Sequence, residues 1–276
     1  MKKQLSQEDV SKERADEELI GRRTTLALLG GAGALVATGC ATAAGAEEAA
    51  EQNPEQSAEA LEEESGLLVP DCTLTPAIMQ GPYFVDERLN RSDIRQDPVT
   101  GQVHDGARLA LTLNTGAVRN GVCQAVPNVQ LDIWQADAIG EYSDVLDIVN
   151  QPPLFDNRGK KFLRGYQKTD ANGSVQFVTI FPGWYPGRTA HIHVEARIFG
   201  STGRPTFTFI TQLYFTDALG DRVYARQDYK NPARDTRYRR VRNSGDSAYS
   251  SRTLLTLVAD SQGNYTSTYN IGLRIP

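Results

Sequence analysis

From Ala107 onward apolar residues fall on every second position, in short runs broken by turn residues, and that period admits strands and little else. In ARLALTLNT (107–115) Leu109, Leu111 and Leu113 share one face. In NVQLDIWQAD (128–137) Val129, Leu131 and Ile133 point away from Gln130, Asp132 and Trp134. SVQFVTIF (174–181), AHIHVEARIF (190–199), TFTFITQLYF (206–215), RTLLTLVAD (252–260) and NYTSTYNIGL (264–273) read the same way, and the last two flank a Ser-Gln-Gly hairpin turn. Seven such runs with no amphipathic helix between them predict an all-β fold, an antiparallel β-sandwich, rather than βαβ units. Two stretches lack the alternation. CTLTPAIMQGPYFVDERLNRSDIRQD (72–97) is expected to wrap one end as an irregular lid. DVLDIVNQPPLFDNRGKKFLRG (144–165) is a long connection of the kind that often carries function.

Residues 1–70 obey a different logic. GRRTTLALLGGAGALVATGC (21–40) sets a twin-arginine pair, Arg22 and Arg23, before an apolar stretch too short and too rich in Gly and Ala to span a membrane, so 1–40 reads as an export signal. Its last residue, Cys40, resembles the lipidated cysteine of bacterial lipoproteins, although Ala37 stands where a larger aliphatic residue is usual. The alternative is an ordinary signal cut after Ala41-Thr42-Ala43. Residues 41–70 hold eight glutamates and no Lys or Arg, with few large apolar side chains, and predict a disordered acidic linker. The domain, 71–276, is then close to neutral. No nucleic-acid partner is expected, because the basic cluster Arg234, Arg237, Arg239, Arg240 and Arg242 is interleaved with Asp235 and reads as a solvated surface. Contact with a membrane is expected only through a lipid on Cys40. Export also bears on the cysteines: with Cys40 lipidated, Cys72 and Cys123 remain as a pair in an oxidising compartment and are expected to form a disulfide, with two free thiols as the alternative.

The stretch PGWYPGRTAHIH (182–193) carries the chemistry. His191 and His193 share one face of a strand, about 6–7 Å apart at their Cα atoms, and can converge on one metal ion. The same spacing also occurs on wet strand faces without a metal. Tyr185 and Arg188 sit on the turn leading in, and Tyr142, at the end of DIWQADAIGEYSD (132–144), is a further oxygen donor. Two phenolates and two imidazoles favour a hard, highly charged ion, Fe(III) over Zn or Cu(I). The plainer reading makes Tyr142 and Tyr185 rim tyrosines, and Tyr83, Tyr166 and Tyr214 are not separable from packing. A cupin-type metal site fits poorly: Glu195 follows His193 by two residues and no histidine lies beyond.

DIWQADAIGEYSD, FLRGYQKTDANGSVQFVTIFPGWYPGRTAHIHVEARI (162–198) and FITQLYF (209–215) resemble the intradiol ring-cleavage dioxygenases, the non-haem Fe(III) family of catechol and protocatechuate dioxygenases. The Gly-Pro-Tyr element of residues 81–83 is similar to that family's entry segment, and the resemblance runs over about 71–217. It implies Tyr142, Tyr185, His191 and His193 as metal ligands and Arg188 as the arginine beside the site. Gln212 becomes a supporting glutamine, and Tyr83 a substrate-side aromatic. The substrates implied are a small aromatic diol and O2: the diol displaces Tyr185, which takes one of its protons, and the ring opens between the hydroxyls to a muconate. Trp184 is expected to line the substrate site, which shows no second basic residue for a ring carboxylate. A plain, alkyl- or hydroxyl-substituted catechol is therefore expected over protocatechuate. Tyr185 precedes His191 by only six residues, and the helical dimerisation segment of bacterial catechol 1,2-dioxygenases is missing. Both departures suggest an exported single-domain branch, periplasmic or extracellular, with a homo-oligomer still compatible. The rival of another class is a non-catalytic, transthyretin-like binding module.

Overall fold

The computed structural model describes residues 72–276. The expected export segment 1–40, its Cys40 and the acidic linker 41–70 lie outside the described residues. The strands are β1 (Arg108–Arg119), β2 (Val122–Ala125), β3 (Gln130–Trp134), β4 (Arg164–Lys168), β5 (Ser174–Ile180), β6 (His191–Phe199), β7 (Pro205–Tyr214), β8 (Val258–Ala259) and β9 (Tyr265–Leu273). One sheet runs β2-β1-β9-β8, with β5 also paired to β1; the other runs β4-β3-β6-β7 and is antiparallel throughout. The predicted alternation builds the core: Leu109, Leu111 and Leu113 of β1 face Leu131, Ile133, Ile192, Val194, Ala196 and Leu213 across the sandwich, all buried.

Several expectations need correction. The first sheet is mixed, because β1 and β9 pair in parallel from Leu109↔Tyr265 to Ala117↔Leu273. A parallel pair needs a long crossover, here all the chain between Arg119 and Tyr265, including helices α1 (Asp217–Tyr224) and α2 (Pro232–Asp235). RTLLTLVAD is not a full strand. Ser251–Thr253 forms a 3-10 turn capped by Ser250, Leu255 makes one backbone bond to Tyr214, and only Val258–Ala259 joins a sheet. β2 and β4 are unforeseen. In the basic cluster, Arg234 is 1% exposed rather than solvated.

Residues 72–97 form a strap across a sheet face rather than a lid at one end. Cys72 is disulfide-bonded to Cys123 of β2, and Leu74 bridges Gly272 of β9. The Ile78 N–H then donates to the Ile210 carbonyl of β7, and Asn90 and Asp93 pair with Tyr166 of β4 and Val178 of β5. Beneath it, the outward side chains Gln130, Asp132, Trp134, His191 and His193 are buried.

Candidate active site

Register sets one row of side chains across the strapped face. Arg164 of β4 lies opposite Trp134 of β3, which lies opposite His193 of β6, which lies opposite Gln212 of β7. His191 lies opposite Tyr214 in the next row. Trp134 stacks on His193 with ring centroids 4.7 Å apart and planes within 8°. On the strap, a Cβ at Gly81 would stand 3.2 Å from His193 Cε1, and its φ of +78° is one that glycine adopts freely. The imidazole is thereby fixed in plane and position.

The two loops that bear tyrosines close over this row. Tyr142 follows the turn after β3, and Tyr185 lies on the turn before β6. Tyr83 from the strap lies against Tyr142 with ring centroids 4.7 Å apart and planes tilted by 31°, and meets Tyr185 edge-on at 5.9 Å. His191 Nδ1 lies 2.7 Å from the Thr189 carbonyl, which can only accept, so Nδ1 carries the proton and Nε2 presents a lone pair. That Nε2 lies 3.0 Å from His193 Nε2 and 3.3 Å from the Tyr185 hydroxyl. The Tyr142 hydroxyl and His193 Nδ1 are buried without a hydrogen-bond partner.

An orphaned buried hydroxyl such as that of Tyr142 needs a reason, and a cation supplies one for it, though not for His193 Nδ1, which lies on the far side of its ring from Nε2. Two nitrogen ligands ~2.1 Å from one ion and at right angles to each other stand about 3 Å apart, the spacing of these Nε2 atoms. Among the described residues no group of three or more His, Cys, Asp or Glu side chains is placed to hold a metal, so an ion here would draw on phenol oxygens. The protonation states suit that role. Burial pushes His191 down to about 3 and His193 well below its ordinary value, so both imidazoles are neutral donors near pH 7. Burial likewise raises Tyr185 to about 12 and lifts Tyr142 well above its ordinary value. Neither phenol ionises unaided near neutral pH, and a trivalent charge is the kind of perturbation that would ionise both.

Of the other expected residues, Arg188, Gln212 and Tyr83 come to this group. Arg188 Nε donates to both Asp246 carboxylate oxygens, at 2.9 and 3.1 Å, and its Nη2 donates to Gln212 Oε1 and to the Tyr214 hydroxyl. Gln212 in turn gives Nε2 to the Met79 carbonyl of the strap at 2.8 Å. The Tyr83 hydroxyl donates to Asp147 at 2.9 Å. Trp184 is not brought to the group: its ring lies under the Arg234 guanidinium, 3.9 Å away, within the main core.

Sequence reasoning missed Trp134, Asp147, Arg164 and Asp246. Trp134 was findable, since the parity of β3 puts it on the face opposite Val129, Leu131 and Ile133. Arg164 bonds Ser143 Oγ at 2.7 Å, the Ser143 carbonyl and the Tyr83 carbonyl, so it joins the Tyr142 loop to the strap. No periodicity announces it, or the two aspartates, which lie in irregular chain.

A dioxygenase family model matches residues 79–246. The protocatechuate 3,4-dioxygenase beta chain of Burkholderia cepacia is 31% identical over 134 residues, 45% of this chain and 51% of that one, so the chain matches about half the length of this curated relative. The solved structure of an intradiol ring-cleavage dioxygenase from Tetranychus urticae is similar at 30% identity, covering 72% of this chain and 94% of that one with a TM-score of 0.57.

Proposed function

The chain belongs to the intradiol ring-cleavage dioxygenase family, and from that premise we propose that it opens a catechol-type ring between its two hydroxyls with O2, giving a muconate-type product. The observation that carries this reading is the convergence of two neutral imidazole Nε2 atoms and two buried phenols, one with an unpartnered hydroxyl. Tyr142, Tyr185, His191 and His193 would hold Fe(III). When bound, that ion would ionise the diol and raise the reactivity of its ring carbons toward O2.

The protein's own side chains account for the rest. Tyr142 is 0% exposed and Tyr185 is 7% exposed on a Pro-Gly turn, so Tyr185 is the phenol suited to yield to the incoming diol. Its oxygen would take one hydroxyl proton of the diol. Tyr83 and the strap exclude water, and Arg188 lowers the cost of negative charge on Tyr185 and on the bound diol. Arg188, Arg164, Arg197 and Lys161 are all engaged by carboxylates or carbonyls. An uncharged ring, as in catechol, an alkylcatechol or hydroxyquinol, is therefore preferred over one bearing a carboxylate. The same reading takes residues 1–40 as a twin-arginine signal that exports the chain, with Cys40 as a lipid anchor.

Purified protein should carry one ferric iron per chain, absorb broadly in the visible, and consume O2 with catechol, 4-methylcatechol or hydroxyquinol. A colourless protein that stays inert after Fe(III) is added would reject the reading. A yellow semialdehyde product would place cleavage outside the diol instead.

A further inference from the structure

The turn that carries Tyr185 has a bonding problem. Residues 181–188, FPGWYPGR, hold two prolines and two glycines and lie in no strand. Their buried backbone groups need partners that no ladder provides. The Phe181 and Gly183 N–H groups donate to the Ala107 and Asp137 carbonyls, and the chain from α1 to α2 supplies partners for three carbonyls. The Tyr229 hydroxyl donates to the Phe181 carbonyl at 2.7 Å, the Tyr224 hydroxyl to the Pro182 carbonyl at 3.0 Å, and Arg234 Nη1 to the Trp184 carbonyl at 2.7 Å.

Arg234 reaches further than the two tyrosines. Its Nη1 also donates to the Ile139 carbonyl at 3.0 Å, three residues before Tyr142. Nη2 donates to the Tyr229 carbonyl, Nε bonds Asp235, and the guanidinium lies flat enough on Trp184 to bring Cζ 3.9 Å from the ring centroid. The two loops meet closely under this bridge: a Cβ at Gly140, whose φ is +89°, would fall 2.1 Å from the Trp184 carbonyl oxygen and 2.9 Å from Arg234 Nη1. One nitrogen thus touches both loops that present a phenol.

We propose that Arg234 is a positioning residue that sets the separation of Tyr142 and Tyr185 by bonding their two loops together. Its consequence for iron rests on the proposed metal site; the bridge between loops does not. A lysine has the charge but neither the planar fork nor the face that stacks on an indole, so it replaces little of this function.

The test compares Arg234→Lys with Trp184→Phe, which narrows the stacking face and leaves the hydrogen bonds. Tyr224→Phe, which removes one carbonyl contact without touching the bridge, is the control. Hydrogen exchange on the metal-free full chain is read at 138–142 and 183–188, alongside chelator competition for ferric iron and the position of the visible band. Arg234→Lys is expected to speed exchange in both loops together, weaken iron retention ~10–100-fold and move the band. Trp184→Phe is expected to do the same to a smaller extent, and Tyr224→Phe to lower the urea midpoint and leave the band in place. If Arg234→Lys and Trp184→Phe lower only the urea midpoint, with exchange at 138–142 and the band unchanged, Arg234 is merely structural. A wild-type chain that binds no iron would defeat the metal reading, while the exchange experiment would still decide the bridge.

Discussion

Arg188 brings a positive charge close to two buried phenols, and Asp246 offsets part of it through both carboxylate oxygens. That pairing is one physical basis for expecting an uncharged ring as substrate. Asp246→Asn should leave Arg188 unpaired and raise kcat/KM for protocatechuate relative to catechol. A tenfold rise in that ratio corresponds to ~1.4 kcal/mol, the size of a partly screened charge contact. An unchanged ratio in folded, iron-loaded variant would show that Arg188 does not face the ring substituent. Asp147 makes a different contribution. Burial works to raise its pKa, but the Leu154 and Val149 N–H groups, the Asn150 amide and the Tyr83 hydroxyl outweigh it, and the carboxyl sits below its ordinary 3.8. A depressed carboxyl stabilises the fold above its unfolded pKa and loses that contribution as pH falls through the folded value. The urea midpoint of the wild-type chain should therefore drop steeply below about pH 4. Asp147→Asn should start lower at pH 7 and show a flatter acid limb; equal slopes would remove Asp147 from the account. Neither aspartate was legible in the sequence, because each lies in irregular chain and meets the site only across more than fifty residues, Asp147 at Tyr83 and Asp246 at Arg188.

The row Arg164–Trp134–His193–Gln212 is a property of strand register, and it shows what the sequence could and could not convey. β1, β3, β5, β6, β7 and β9 were visible because one face of each is apolar and packs in the core. The period also put His191 and His193 on one face. β4 was hidden because its residues RGYQK hold a single large apolar side chain, the half-buried Tyr166, and so show no alternation; the strap pairs with its edge through Asn90. In 252–260 the alternation is real, with Thr253 and Leu255 buried, but the segment starts in a 3-10 turn, makes one backbone bond to Tyr214 and reaches a ladder only at Val258–Ala259. Trp184 neighbours Tyr185 in sequence, but its ring lies under Arg234, whereas Trp134 stacks on His193. Trp134 is thus the indole to test. Its Nε1 has no hydrogen-bond partner, so Trp134→Leu strands no acceptor and costs packing alone. The substitution should destabilise by ~2–4 kcal/mol. With the His193 ring freed from its stack, iron retention should fall about tenfold. Retention equal to wild type would mean that Gly81 and the strap hold His193 unaided.

Across the described residues, the strap is what joins the two sheets around the site. It begins at Cys72 on β2, passes Gly81 over His193 and Tyr83 over both phenols, and ends beside β5. Two kinds of bond hold it. The disulfide fixes only its first residue, and the hydrogen bonds of Ile78, Gln212, Arg164 and Asn90 hold the part that covers the site. Stability and site geometry should therefore separate under reduction. Opening a bridge between residues 51 apart releases loop-closure entropy in the unfolded chain worth about 4 kcal/mol on the chain-entropy estimate. Cys123→Ser should lower the urea midpoint accordingly. In the absence of denaturant, the same variant should still hold one ferric iron per chain with the wild-type visible band, because every contact to Gly81, Tyr83 and Met79 lies beyond the bridge. Bleaching of the band in Cys123→Ser, at a urea concentration where the fold persists, would show instead that the disulfide sets the register of the strap over His193.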